Sequence, residues 1–264
     1  MAERNFEKMA VLIDADNTQI SKLDDMFTEL SLHGRIVVKR AYGNWRKENL
    51  KKWEDETKRL AIKAVQQFDY VSGKNATDMA LVIDAMDLLY SSLYDAFAII
   101  SSDSDYTPLA IKLHESGIYV FGVGSKKTPE PFRNACDEFI LLENLNSSEE
   151  DEDSDEEDSS PAQGGAGRLS LEGKGQGMEN SQKGKKGGKA GMKKVHALLR
   201  AAAESFQDSR GYTNVSAAGT YIKRVKPDFD VRTYGYKKLT DLIEAYPANY
   251  QVNRDGNIVV YQVR

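Results

Sequence analysis

Two hydrophobic rhythms alternate over the first 145 residues. Short apolar-rich runs, at 9–14, 35–42, 67–71, 96–101, 117–123 and 138–142, are separated by the stretches 18–32, 49–65, 77–91, 105–116 and 129–135. In these stretches apolar residues recur every three or four positions, as Leu23, Met26, Phe27 and Leu30 do. A short continuous run marks a strand buried on both faces, and a three-to-four period marks a helix with one buried face. The alternation predicts a mainly parallel sheet with helices on both sides, an α/β/α sandwich. Thr77-Asp78 predicts a helix start, with threonine as cap and aspartate at the positive end of the helix. Gly117 predicts the stop of the preceding helix.

Periodicity disappears between Ser147 and Met192, where an acidic-serine run gives way to Gly/Lys/Gln-rich sequence. Such composition cannot bury a core, so residues 147–192 are expected to form a disordered linker. As random coil it would span roughly 35 to 40 Å. Pattern returns at 193. Val195, Leu198, Leu199 and Ala202 mark one helix, 215–225 a second, and Tyr234, Leu239, Leu242 and Ile243 a third. Two alternating runs, 250–254 and 258–261, flank Asp255-Gly256-Asn257 and predict a closing hairpin. Three helices and a hairpin describe a small winged helix over 193–264.

Charge sharpens this division. Residues 1–148 carry 18 Lys+Arg against 23 Asp+Glu, while 193–264 carry 12 against 7. An acidic first unit and a basic second one suit a metal site joined to a polyanion binder. Cys136 is the only cysteine, and His33, His114 and His196 are scattered, so the sequence offers neither a disulfide framework nor a zinc cluster. No segment approaches the roughly 20 apolar residues of a membrane span, and the first residues have no apolar export core. The expected location is cytoplasmic.

The candidate chemistry lies in aspartates where apolar runs end. Asp14 closes the first run, Asp103 and Asp105 follow the fourth, and Asp78 opens a helix. In a parallel sheet these ends share the edge where ligands bind. Carboxylates gathered there repel one another unless a divalent cation neutralises them, which predicts a Mg²⁺ or Mn²⁺ site ligated by Asp14, Asp78, Asp103 and Asp105. Two such ions roughly 4 Å apart would activate a water and stabilise the leaving oxygen in phosphodiester hydrolysis. Asn17 would orient the loop or a water. Lys74 would hold phosphate, Ser102 would hydrogen-bond a carboxylate, and Asp16 adjoins the site. Asp84 lies six positions after Asp78, about 240° round an ideal helix and about 9 Å along it, so it belongs at the rim.

Four motifs in order resemble the NYN domain, a PIN-like nuclease family: Val11-Leu12-Ile13-Asp14-Ala15-Asp16-Asn17, Lys39-Arg40-Ala41-Tyr42-Gly43-Asn44-Trp45, Lys74-Asn75-Ala76-Thr77-Asp78 continuing to Asp84, and Ile100-Ser101-Ser102-Asp103-Ser104-Asp105-Tyr106. The resemblance covers about residues 8 to 145, within a first unit set at 1–146. It implies a PIN-like fold and metal-dependent ribonuclease chemistry carried by Asp14, Asn17, Asp78, Asp103 and Asp105. Asn75 stands where glycine is common in the family. The second unit, through Phe229-Asp230-Val231-Arg232-Thr233-Tyr234-Gly235-Tyr236-Lys237-Lys238-Leu239, resembles the LOTUS or OST-HTH domain, a winged helix linked to RNA binding and in some members to protein contacts. Independently of that resemblance, Lys223, Arg224, Arg232, Tyr234, Tyr236, Lys237 and Lys238 combine bases' stacking partners with phosphate-binding cations.

The expected function is therefore a divalent-metal-dependent ribonuclease with a tethered RNA-binding domain. Two rivals share these residues. One is an RNA-binding adaptor without turnover. The other is a phosphatase of the haloacid-dehalogenase type, whose opening motif 12–18 also resembles. There Asp14 would attack phosphorus and Asp16 would serve as acid and base, but an amphipathic helix at 21–32 stands where those enzymes place a flap.

Overall fold

The computed structural model describes residues 5–71, 75–145, 185–255 and 258–264. Its first unit is a six-stranded parallel sheet: β1 (Phe6–Asp14), β2 (Gly34–Gly43), β3 (Lys63–Gln66), β4 (Ala96–Ile100), β5 (Tyr119–Gly124) and β6 (Glu138–Leu141), in the order β3-β2-β1-β4-β5-β6. Five helices connect the strands: α1 (Leu23–Ser31), α2 (Trp53–Arg59), α3 (Ala76–Tyr90), α4 (Thr107–Glu115) and α5 (Glu130–Ala135). Strand side chains alternate between faces, so β1 feeds two cores. Met9, Val11 and Ile13 pack with Leu23, Met26 and Leu30 of α1 and Trp53 of α2. Ala10 and Leu12 pack with Leu81 and Ala85 of α3, Leu109 of α4 and Phe132 of α5. Residues 9–13 have no exposed surface. At roughly 1.5–3 kcal/mol for each large aliphatic side chain fully buried, this strand is a principal stabilising element. The three-layer α/β/α sandwich foreseen from the apolar rhythm is thus the fold.

One stretch departs from expectation. No strand forms at 67–71, and the helix expected over 49–65 stops at Arg59. The chain turns at Ala61, whose φ of 51° is left-handed, and β3 follows at once, pairing Val65 with Tyr42. β3 is an edge strand whose residues are exposed or half-buried, so it lacks the apolar run that announces the inner strands. The aromatic and branched residues of 67–71 lie in the connection to α3. At the other end, α3 starts at Ala76 after Asn75, placing Thr77 in its first turn rather than at the cap. Gly117, with φ 81°, does end α4.

The second unit has α6 (Lys185–Phe206), β7 (Thr213–Asn214), α7 (Val215–Val225), α8 (Leu239–Glu244), β8 (Tyr250–Asp255) and β9 (Ile258–Val263), with an antiparallel sheet ordered β7-β9-β8. Val195, Leu199, Ile222, Leu242, Ile243, Tyr250 and Tyr261 form its core. The Tyr261 hydroxyl donates to the Leu199 carbonyl at 2.6 Å, and the Asn214 side chain caps α7 by accepting from Ser216 and Ala217 N–H. Helix α6 begins at Lys185, inside the stretch 147–192 expected as linker. The remainder of that expectation, and Gly256-Asn257 of the hairpin turn, lie outside the described residues. The third expected helix is split by Gly235, at φ 83°, into a single turn Val231–Tyr234 and α8.

The two units touch along the free edge of β6. Phe139 N–H donates to the Pro227 carbonyl at 3.0 Å, and Asn144 Nδ2 donates to Thr233 Oγ1 at 2.9 Å. Ion pairs join Lys223 to Glu138, Arg133 to Asp228 at 2.6 Å and Arg232 to Glu29 at 2.8 Å. The acidic partners are well covered: Asp228, Glu138 and Glu29 have side chains 11, 12 and 19% exposed. Pairs this sheltered are screened less by salt than surface ones. The contact is polar, with the apolar cores of the units remaining separate. The double variant Arg133→Ala/Arg232→Ala should therefore release the units while leaving each folded. Small-angle X-ray scattering should show a larger radius of gyration than the parent, and unchanged scattering would mean that these pairs do not hold the contact.

Candidate active site

Asp14 ends β1 beside Ile100, the last residue of β4, because Ile13 pairs with Ile100 in parallel register. Its carboxylate has no exposed surface. Oδ2 accepts from Asn17 Nδ2 at 2.8 Å and from Ser101 Oγ at 2.9 Å, and Oδ1 is buried without a hydrogen-bond partner. Burial raises the Asp14 pKa, the two hydrogen bonds oppose that rise, and the charges of Asp78 and Asp16 add to it. The loop is fixed by Thr18, whose hydroxyl donates to the Asp14 carbonyl at 2.6 Å. Asn17 is thus hydrogen-bonded to Asp14. Ser101 is a partner that the sequence reading passes over in favour of Ser102.

Asp78, in the first turn of α3, faces the same edge. Tyr106 donates its hydroxyl to Asp78 Oδ1 at 2.8 Å. The Asp78 pKa is raised first by burial and then by the charges of Asp103, Asp105 and Asp16, against the lowering bond from Tyr106. Tyr106 is fully buried, and its own pKa is driven far up by burial and by Asp14, Asp78 and Asp103. It is a fixed neutral donor set among carboxylates. Asp103 accepts the Asp105 N–H at 2.9 Å and so caps the turn after β4, while Asp105 accepts from Asn75 Nδ2 at 2.8 Å. Of the four aspartates singled out from sequence, Asp78 lies within electrostatic reach of Asp14, Asp103 and Asp105. Tyr106 and Asn75 were legible only as neighbours of the acidic motifs, and nothing in the sequence distinguished them as donors.

Other expected residues have different partners. Lys47 donates to Asp16 at 3.1 Å and also pairs with Asp69 at 3.7 Å, so Asp16 is partly neutralised at the rim. Asp84 is bound by Arg40 and by the Tyr42 hydroxyl. It ties α3 to β2 and is not a group waiting at the site. Ser102 exchanges hydrogen bonds with Ser125, linking the ends of β4 and β5. Lys74 lies outside the described residues. In the second unit, Lys223 and Arg232 are committed to Glu138 and Glu29, and Arg232 also to Asp230 at 2.8 Å. Tyr234 and Tyr236 are half-buried against the core, whereas Arg224, Lys237 and Lys238 are exposed.

A model of the NYN domain matches residues 8–143, 136 of the chain's 264 residues. The chain belongs to the NYN domain family. A model of the OST-HTH/LOTUS domain matches residues 189–260, in agreement with the early start of α6. No curated protein matches the chain. Among solved structures it is similar to a protein of unknown function from Vibrio parahaemolyticus RIMD 2210633, at 16% identity and a TM-score of 0.42, over 53% of this chain and 96% of that one. The protein thus joins a nuclease-like NYN fold to a domain of a class linked to RNA binding. No helix among the described residues is long and apolar enough to cross a membrane. After β1 come two single-turn helices and α1, with no hairpin flap of the phosphatase kind.

In this NYN domain the donor chemistry fits a hard divalent cation, since every candidate ligand is a carboxylate oxygen and Asp14 Oδ1 is buried and unpartnered. The spacing is looser than a closed shell: among the described residues, no three His, Cys, Asp or Glu side chains stand close enough to hold an ion as they are. The raised Asp14 pKa has a consequence for stability. The folded state binds the proton more tightly than the unfolded chain, so the ionised carboxylate costs stability as pH rises through its folded pKa, and the cost vanishes below the unfolded value near 3.8. Asp14→Asn should accordingly stabilise the protein at neutral pH by about 1 kcal/mol, the common gain when a strained functional group is removed. The gain should disappear at acid pH. Thermal unfolding of both proteins across pH measures it, and a pH-independent difference would contradict the assigned cause.

Proposed function

We propose that the protein is a divalent-cation-dependent ribonuclease that hydrolyses phosphodiester bonds of RNA. The observation that carries this reading is the buried, unpartnered Oδ1 of Asp14 at a sheet edge where Asp78, Asp103 and Asp105 also gather. A protein keeps such mutually repelling carboxylates, at a cost in stability, where a cation and its substrate repay the cost. Asp14, Asp78, Asp103 and Asp105 would hold Mg²⁺ or Mn²⁺, which when bound neutralises phosphate charge and makes water a better nucleophile. Asn17 and Ser101 hold the second oxygen of Asp14, leaving Oδ1 for the ligand. Tyr106 fixes one Asp78 oxygen and leaves the other for the same purpose. Exposed Arg224, Lys237 and Lys238 supply phosphate contacts on the OST-HTH domain, which holds the RNA near the NYN domain.

One observation favours a second reading, an RNA-binding adaptor without turnover: the carboxylates are not spaced as a ready coordination shell. The two readings separate in a single experiment with labelled single-stranded RNA and Mg²⁺, Mn²⁺ or chelator. Cleavage should require the cation and should fall by at least about a hundredfold in Asp14→Asn and Asp103→Asn, since even partners behind metal ligands cost 10- to 100-fold. RNA binding should persist in both variants. Cleavage indifferent to chelator and to both substitutions would remove the proposed site, and binding without any cleavage would establish the adaptor.

A further inference from the structure

Among the described residues, a concave apolar surface adjoins the carboxylates. A groove of about 450 Å³ runs between residues 67–71 and the outer face of α3, lined by Gln67, Tyr70, Val71, Asn75, Met79 and Ile83. Tyr70 is 87% exposed, Val71 60%, Met79 56% and Ile83 58%. Met79 and Ile83 lie one turn apart on α3 and present a single stripe to solvent. Apolar surface gathered this way marks a binding surface.

The position of the groove identifies its occupant. Asn75 lines it and also donates to Asp105, so the groove adjoins the carboxylate edge. Phe68, next in sequence to the lining residue Gln67, has the guanidinium of Arg46 4.9 Å over its ring, adding positive charge next to an aromatic face. The volume of the groove is that of small-molecule sites, which run roughly 300–1,000 Å³. Gln67 and Asn75 add amide groups able to meet the polar edges of a base. We propose that this groove is a nucleobase subsite: it receives an unpaired base of the RNA strand whose phosphate lies at the carboxylates, stacking it against Tyr70 and packing it on Met79 and Ile83. The assignment rests on the ribonuclease reading for the identity of the strand. It implies a preference for single-stranded over duplex RNA, because a paired base cannot enter.

The test uses the full chain and single-stranded RNA carrying one 2-aminopurine, whose fluorescence is quenched by stacking, at successive positions. Binding is followed in chelator, so the readout does not require turnover, and cleavage is followed separately with Mn²⁺. Quenching should appear at one or two positions. Tyr70→Ala/Met79→Ala should abolish it, weaken binding by about tenfold and raise KM with little change in kcat, while Tyr70→Phe should restore the parent behaviour. An abasic residue at the quenched position should weaken binding to the parent protein as much as the double variant does. Unchanged quenching and KM in the double variant would overturn the subsite and leave the ribonuclease reading standing. Quenching with no cleavage would support the subsite and sink that reading. A parent protein that dimerises through this face, as shown by sedimentation and lost in the double variant, would make a second copy the occupant and overturn the proposal.

Discussion

The parallel pairing of β1 with β4 is the constraint on which the site depends. Ile13 opposite Ile100 brings two strand ends level, and the chain leaves each end through a polar loop. Asp14 and Ser101 then meet across the pair, and Asp103 follows two residues on. Because β1 also pairs with β2, the strand order reverses at this point, where loops diverge and leave a crevice. Five fully buried residues in β1 hold it in the sheet, so the carboxylate at its end cannot retreat into water. The burial that raises the Asp14 pKa is thus imposed by the packing of the residues before it.

Around that carboxylate, the polar groups divide between positioning and neutralising. Asn17, Ser101 and Tyr106 donate to carboxylate oxygens and remain neutral, so they fix geometry without cancelling charge. Lys47 and Arg40, which do cancel charge, are directed to Asp16 and Asp84 away from the central group. The centre therefore stays an acidic site with no resident protein cation among the described residues, the electrostatic state that attracts a divalent ion. Its neighbour is the opposite, an apolar groove that meets the acidic edge at Asn75.

The docking of the second unit changes the meaning of its basic residues. Excess lysine and arginine on a small domain reads as a footprint for a polyanion, yet Lys223 and Arg232 spend their charge on carboxylates of the NYN domain. Only Arg224, Lys237 and Lys238 of the proposed set are exposed. The Asn144–Thr233 bond lies just past the end of β6, on the same edge of the sheet as Asp14 and Asp103, so this contact brings the second unit toward the side of the sheet where cleavage would occur. A polar contact of this kind is typical of units within one chain that can part.

Much of this was written in the order of residues. Inner strands, their helices and the acidic termini follow from local pattern, because a strand buried on both faces must be apolar throughout and a parallel sheet must place its strand ends together. The edge strand β3 escaped because an exposed edge needs no apolar run, and the turn before it rests on a left-handed alanine that no composition rule announces. Tyr106, Ser101 and Asn75 escaped for a different reason: a hydrogen-bond donor is defined by what it faces, and their acceptors lie 28, 87 and 30 positions away. The sequence by itself determined which residues carry charge and which elements carry them. Only the tertiary structure decided which charges are cancelled, because pairing between distant segments is set by packing and leaves no local mark.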